Sequence, residues 1–195
     1  YHVVKGCTKI EVISRGKNIA ASLMSTSETY DLVALKVTVA NPSSSTRFVL
    51  APPKTATSAL VFGYPLEGIV SDTGNYGEGT VSAEGGLRYH PELFQITTPI
   101  QKGHSGSAVI DSDGNLLGVA TAKLNVMSVA RLTGDIAQNV NFAISSRYVG
   151  DFLSLSGVNL RSDFELNYLT ENLRKLFAPA PQDFLMNSAV KIVCY

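Results

Sequence analysis

Several features are scarce or missing in this chain, and each absence removes a class of function. Charge bias is absent: 16 Lys and Arg balance 16 Asp and Glu. Nothing therefore draws the chain electrostatically to nucleic acid or to an anionic membrane. No run of about 18 apolar residues occurs, so no membrane-spanning helix is expected. No secretory leader is visible either, but that absence excludes little here. Two cysteines and three scattered histidines do not make a zinc set, so no metal is expected. Neither a phosphate-cradling loop nor a dinucleotide fingerprint occurs, so no cofactor is expected either.

What is present looks all-β. Apolar residues make up 45% of the chain and charged ones only 16%, which supplies a substantial core. Gly, Ser, Thr and Val are abundant and the strand-like runs are short. The length suits one domain, or two small barrels packed as a unit.

The stretch 99–121 organises the rest. Two apolar runs, Ala108–Ile110 and Leu116–Ala120, flank Asp111-Ser112-Asp113-Gly114-Asn115, a strong hairpin signal. Just before it, Gly103-His104-Ser105-Gly106-Ser107 places one serine between two glycines. Glycine allows positive φ and leaves no side chain over the serine. A backbone bent this way can aim N–H groups at one point, as a nascent oxyanion requires. Ser105 is the candidate nucleophile, and the N–H groups of Gly103 and Ser105 are candidate oxyanion donors. Taken alone, the segment fits a plain glycine-rich turn equally well.

A serine needs a base. His104 adjoins Ser105, and adjacent side chains diverge. His90 lies in a polar, Pro-containing loop that suits a solvated ring. His2 precedes an alternating stretch, Thr8–Ile13, which would hold it on a rigid element; by itself it also reads as a terminal surface residue. The third member must be an acid that fixes the imidazole tautomer. Asp31 opens the apolar strand Asp31–Val37, where an unpaired carboxylate would be costly, although a strand-capping aspartate at a surface turn fits too.

His2-Val3-Val4-Lys5-Gly6, Asp31-Leu32-Val33-Ala34-Leu35-Lys36-Val37 and Gly103–Ala108 together resemble the trypsin-like serine peptidases, closest to the bacterial HtrA/Deg-like branch. Gly63-Tyr64-Pro65, Gly79–Ser82, Phe94–Thr98 and Asn141–Ile144 match further pieces of that branch. The chain order His, Asp, Ser is the one the chymotrypsin-type triad uses. The resemblance covers roughly residues 1–150. It implies a serine endopeptidase with His2, Asp31 and Ser105 as triad, acting on protein or peptide substrates. It also implies two six-stranded-type antiparallel barrels with the cleft between them, His2 and Asp31 from one and Ser105 from the other. In that family several strands precede the histidine, so the first barrel is expected to be incomplete here and an upstream segment, with any targeting sequence, is expected beyond Tyr1. Two alternatives stay open: a protease-shaped module that binds peptides without cutting, and a small-ester hydrolase.

The expected division is 1–58 for the first barrel and crossover, 59–146 for the second barrel, and 147–195 for a C-terminal helix and tail packed on the body. Expected strands are Cys7–Ser14, Ile19–Met24, Asp31–Ala40, Arg47–Leu50, Ala59–Gly63, Glu78–Ala83, Leu93–Thr97, Ser107–Asp111, Leu116–Lys123 and Asn139–Ile144. Residues 64–77 and 123–138 read as loops. Tyr148, Val149, Phe152 and Leu153 have helical spacing, with Ser145 or Ser146 as N-cap. The tail reads as a helix over Ser162–Ala178, stopped by Pro179 and Pro181, a helical turn over Asp183–Asn187 and a strand over Ala189–Cys194. It is too short for the PDZ domain that follows in the resembled branch.

One cysteine lies near each end, both on apparent strands, in a family whose members often work outside the cytoplasm. A Cys7–Cys194 disulfide is therefore expected, with two buried free thiols as the alternative, and the compartment is expected to be periplasmic or extracellular. By resemblance, Pro99, Ile100, Asn141 and Phe142 form the primary specificity pocket. No acidic residue stands where the family reads Lys or Arg, which implies a small or medium apolar cleavage-site residue. His104 stands where many regulated trypsin-like enzymes carry the aspartate that pairs with a new N-terminus, which argues against that activation route.

Overall fold

The computed structural model describes residues 1–14, 16–38, 50–65, 74–86, 90–121, 139–158 and 189–195. Among them the architecture is mostly β, in two sheets with one helix. Strands β1 (Ile10–Ser14), β2 (Lys17–Ser27) and β3 (Leu32–Val37) form antiparallel neighbours, and β10 (Lys191–Cys194) pairs with the other side of β1. The remaining strands are β4 (Ser58–Gly63), β5 (Asn75–Ala83), β6 (Leu93–Ile96), β7 (Ala108–Ile110), β8 (Leu116–Thr121) and β9 (Asn141–Ser145). They close a six-stranded barrel in the order β4-β5-β6-β9-β8-β7.

Alternation along the barrel strands sorts two apolar layers. Val61, Val81, Phe94, Ile96, Val109, Leu117 and Ala143 form one, with all six strands contributing, and this fills the barrel. Leu60, Phe62, Leu93, Ile110, Leu116, Phe142 and Ile144 form the other, on the outer face. The outer layer is covered by Leu32 from β3 and by Val149 and Phe152 from the helix α1 (Ser146–Leu155). Burying each such side chain is worth about 1.5–3 kcal/mol. This shared core holds the four-stranded sheet against the barrel, and so sets the spacing between residues carried by each.

The expected hairpin is present. β7 and β8 pair antiparallel, and Asp111 organises the turn: Oδ1 accepts from the N–H groups of Asp113 (2.9 Å) and Asn115 (2.8 Å). Several boundaries moved. β5 starts at Asn75, inside the expected loop 64–77, because residues 75–77 pair with Gly63–Val61 of β4. β3 starts one residue after Asp31, whose φ of 54° takes it out of the strand. Ser145 holds the N-cap position of α1 without a capping side-chain bond, while Ser146 Oγ donates to Ala51 O at 2.7 Å. The expected elements at 47–49, 123–138, Ser162–Ala178 and Asp183–Asn187 lie outside the described residues.

The tail strand lies at the edge of the first sheet. Its register runs Ile10 opposite Cys194 to Ile13 opposite Lys191. Thr8 N–H donates to Tyr195 O at 2.7 Å and Tyr195 N–H to Lys9 O at 3.1 Å. Cys7 and Cys194 are joined by a disulfide.

Candidate active site

His2 sits on a pair of tight turns at the head of β1. Val4 N–H donates to Tyr1 O at 2.9 Å and Cys7 N–H to Val4 O at 3.2 Å. The Val4 side chain is buried and anchors these turns. Immediately beyond, the disulfide and β10 tie the same segment to the sheet.

Asp31 is held from both sides. Tyr30 packs its ring, tilted by 53°, against Tyr148 of α1, with centroids 5.2 Å apart, and Leu32 is sunk in the shared core. Between these two anchors the backbone of Asp31 is left-handed, a region Asp tolerates better than most side chains. The carboxylate then meets His2 twice. Oδ1 accepts the His2 backbone N–H at 2.8 Å, and Oδ2 lies 2.6 Å from His2 Nδ1. The Asp31 carboxylate is only 10% exposed, and burial pushes its pKa up, but the His2 amide and imidazole, with the Tyr1 ammonium 3.3 Å from Oδ1, hold it below the usual carboxylate range.

Ser105 comes from the barrel. Two successive turns carry it. His104 N–H donates to Gln101 O at 3.0 Å, closing a turn with Gly103 at its third place, φ +105°. Ser107 N–H donates to His104 O at 3.0 Å, closing a second turn with Gly106 at its third place, φ +90°. A glycine with positive φ at that place is what such turns require. Gly103 also backs onto Tyr64 and Pro65 so closely that a Cβ would lie 2.4 Å from Tyr64 O. The result lifts Ser105 at the corner of the second turn, with Oγ 3.2 Å from His2 Nε2. Among the described residues, the Gly103 N–H makes no hydrogen bond.

The arrangement dictates a tautomer. An ionised carboxylate only accepts, so the Asp31 contact puts the proton on His2 Nδ1. Nε2 then faces Ser105 Oγ with its lone pair. A hydroxyl, an imidazole and a carboxylate in this order can move a proton off the hydroxyl. Of the three histidines, His2 is the one whose ring meets both a carboxylate and Ser105. His90 is exposed and pairs with Glu92 at 2.9 Å. His104 is buried, 3% exposed, with Nδ1 3.2 Å from the Gln101 N–H; burial lowers its pKa. Nothing in the sequence around His104 signals its burial.

The four expected pocket residues separate. Asn141 Nδ2 donates to Thr98 O at 2.9 Å, which ties β9 to the segment carrying exposed Pro99 and half-buried Ile100. Phe142 instead turns into the outer core layer, 2% exposed, and has only its backbone to offer a ligand. Among the described residues no cluster of metal-ligating side chains occurs, and no helix is long and apolar enough to cross a membrane.

The chain is similar to known proteins of one family. The family model described as trypsin-like peptidase domain matches residues 1–119. An uncharacterized protein, y4bJ, of Sinorhizobium fredii is 34% identical over all 195 residues, which span 30% of that protein. The serine endoprotease DegS of Haemophilus influenzae is 28% identical over 160 residues, covering 78% of this chain and 44% of DegS. Among solved structures, the HtrA-type protease AlgW with a decapeptide superposes with a TM-score of 0.64 at 25% identity, over 80% of this chain and 46% of AlgW. The chain thus spans less than half the length of these relatives.

Proposed function

The chain belongs to the trypsin-like peptidase family, in its HtrA branch, and from that premise we propose that it is a serine endopeptidase acting through Ser105, His2 and Asp31. The carrying observation is the unbroken path from Asp31 Oδ2 to His2 Nδ1 at 2.6 Å and from His2 Nε2 to Ser105 Oγ at 3.2 Å. Ser105 Oγ attacks the peptide carbonyl carbon while its proton passes to His2 Nε2. The carbonyl electrons move to oxygen, and the N–H groups of Gly103 and Ser105 receive that oxyanion. Collapse breaks the C–N bond, and the Nε2 proton leaves with the amine. Water then attacks the Ser105 ester by the same proton route and restores the hydroxyl. Asp31 stays ionised and stabilises the imidazolium.

In this reading the four-stranded sheet is part of a first barrel, and the division 1–58, 59–146 and 147–195 describes the architecture. Pro99, Ile100, Asn141 and the Phe142 backbone border the pocket for a small or medium apolar side chain. The disulfide favours an oxidising compartment, periplasmic or extracellular.

The test is labelling with a fluorophosphonate probe beside digestion of casein and of a small ester. Ser105-dependent labelling with casein cleavage supports the endopeptidase. Ester turnover alone indicates a small-ester hydrolase. No difference between the wild type and Ser105→Ala in any assay indicates a peptide-binding module.

A further inference from the structure

His104 occupies an unusual seat for an ionisable side chain. Its ring is buried, and Nδ1 accepts the Gln101 N–H at 3.2 Å. An N–H donor forces Nδ1 to be the unprotonated nitrogen, so the ring proton is on Nε2. That Nε2–H has no partner among the described residues. A buried donor without a partner is destabilising, and an apolar side chain of similar size would avoid the loss. What an apolar side chain could not supply is the Nδ1 acceptor.

That acceptor sits at a pivot. The backbone N–H of His104 closes the turn containing Gly103, at 3.0 Å from Gln101 O, and its C=O closes the turn containing Ser105, at 3.0 Å from Ser107 N. Its side chain reaches back to the Gln101 N–H, so residues 101 and 104 are tied by two opposed hydrogen bonds. The ring has little freedom to leave: a Cβ on Gly63 would lie 3.0 Å from His104 Cδ2 and 2.7 Å from Ser107 Oγ. One residue therefore orients the peptide planes on its own two sides, the second of which carries the Ser105 N–H.

We propose that His104 is a positioning residue for the reaction: its neutral imidazole, as acceptor for the Gln101 N–H, locks the double turn that aims the Gly103 and Ser105 N–H groups. This rests on the endopeptidase reading, because those groups matter chemically only if an oxyanion forms there. Its effect falls on the transition state rather than on substrate binding, so it shows in kcat.

The experiment compares His104→Asn, His104→Leu and His104→Gln in the full chain. Asn places an amide oxygen where Nδ1 was, Leu removes the acceptor, and Gln moves its amide one bond further out. His104→Leu and His104→Gln are expected to lose about 100-fold in kcat with little change in KM, the loss typical of one misdirected oxyanion donor. His104→Asn is expected to recover kcat to within about tenfold of wild type. If Leu is not tolerated by the fold, Gln carries the comparison. In parallel, amide exchange at Gln101 is followed in the Ser105→Ala background. Exchange there should quicken with Leu and Gln and stay slow with Asn. Undiminished kcat in His104→Leu or His104→Gln, or unchanged Gln101 exchange, overturns the proposal. If neither the wild type nor any variant cleaves peptide or takes the probe while Gln101 exchange still follows the acceptor, the endopeptidase reading fails and the structural lock stands.

Discussion

Asp31 grips His2 at two points, the backbone N–H at 2.8 Å and Nδ1 at 2.6 Å, so one carboxylate fixes both where the residue sits and which way its ring faces. Neither contact survives a displacement of the His2 turn. The rigidity of that turn, and of the left-handed backbone under Asp31, therefore enters the proposed chemistry directly.

Asp31→Asn should keep the fold and lose about 10,000-fold in kcat, the scale seen when a triad acid becomes an amide. The amide can offer an N–H to Nδ1 and shift the ring proton to Nε2, which removes the lone pair facing Ser105. Steady-state hydrolysis of a peptide substrate, with circular dichroism to verify folding, checks this. Activity within tenfold of wild type would contradict the assigned tautomer.

The two loop glycines should behave differently. Gly103→Ala meets both a φ of +105° and a Tyr64 oxygen 2.4 Å from the new Cβ, so the loop must move. Gly106→Ala has φ +90° but open space. The second change should cost about 1–2 kcal/mol of backbone strain, read by urea denaturation. The first should cost more and also abolish most activity.

Reducing the disulfide should loosen β10 before it affects the barrel. The bridge spans 187 residues, and the chain-entropy model assigns such a closure about 5 kcal/mol as an upper figure. Thermal melting with and without a phosphine reductant measures the loss. Amide exchange should quicken first along Lys191–Cys194 and its partner β1. An unchanged melting temperature would show that the bridge adds nothing to this fold.

Stability should fall in two steps on acidification. The pKa of His104 is lowered by burial, so the unfolded chain takes up its proton first, near the ordinary pKa of about 6.5. Stability from this group is complete above that value and declines as pH falls toward the folded pKa. Asp31 also has a lowered pKa: burial opposes ionisation, but the His2 contacts and the Tyr1 ammonium together outweigh it. Its contribution is complete above the ordinary value of about 3.9 and is lost only as pH falls through its lower folded value. Urea midpoints between pH 3 and 8 test both. His104→Asn should flatten the first step and leave the second.

Much of the candidate site was legible because its turns are local. Asp111-Ser112-Asp113-Gly114-Asn115 announces its own turn, and the glycines around Ser105 announce theirs, since positive φ is a property of the residue type. The chain order of His2, Asp31 and Ser105 is likewise written in one dimension. The start of β5 was not legible: Asn75-Tyr76-Gly77 has weak strand character, and pairing with β4 overrode it.

The sequence by itself determined the turn chemistry, the apolar alternation that builds the barrel strands and which side chains are candidates for the reaction. Tertiary structure alone decided that Asp31 leaves its strand, that the histidine beside Ser105 is buried on one hydrogen bond, and that β10 pairs with β1 in the register that sets Ile10 opposite Cys194. The reason is physical. Backbone preference and periodicity act over a few residues, whereas burial and strand pairing depend on groups brought together from far along the chain, such as His2 and Ser105 across 103 positions.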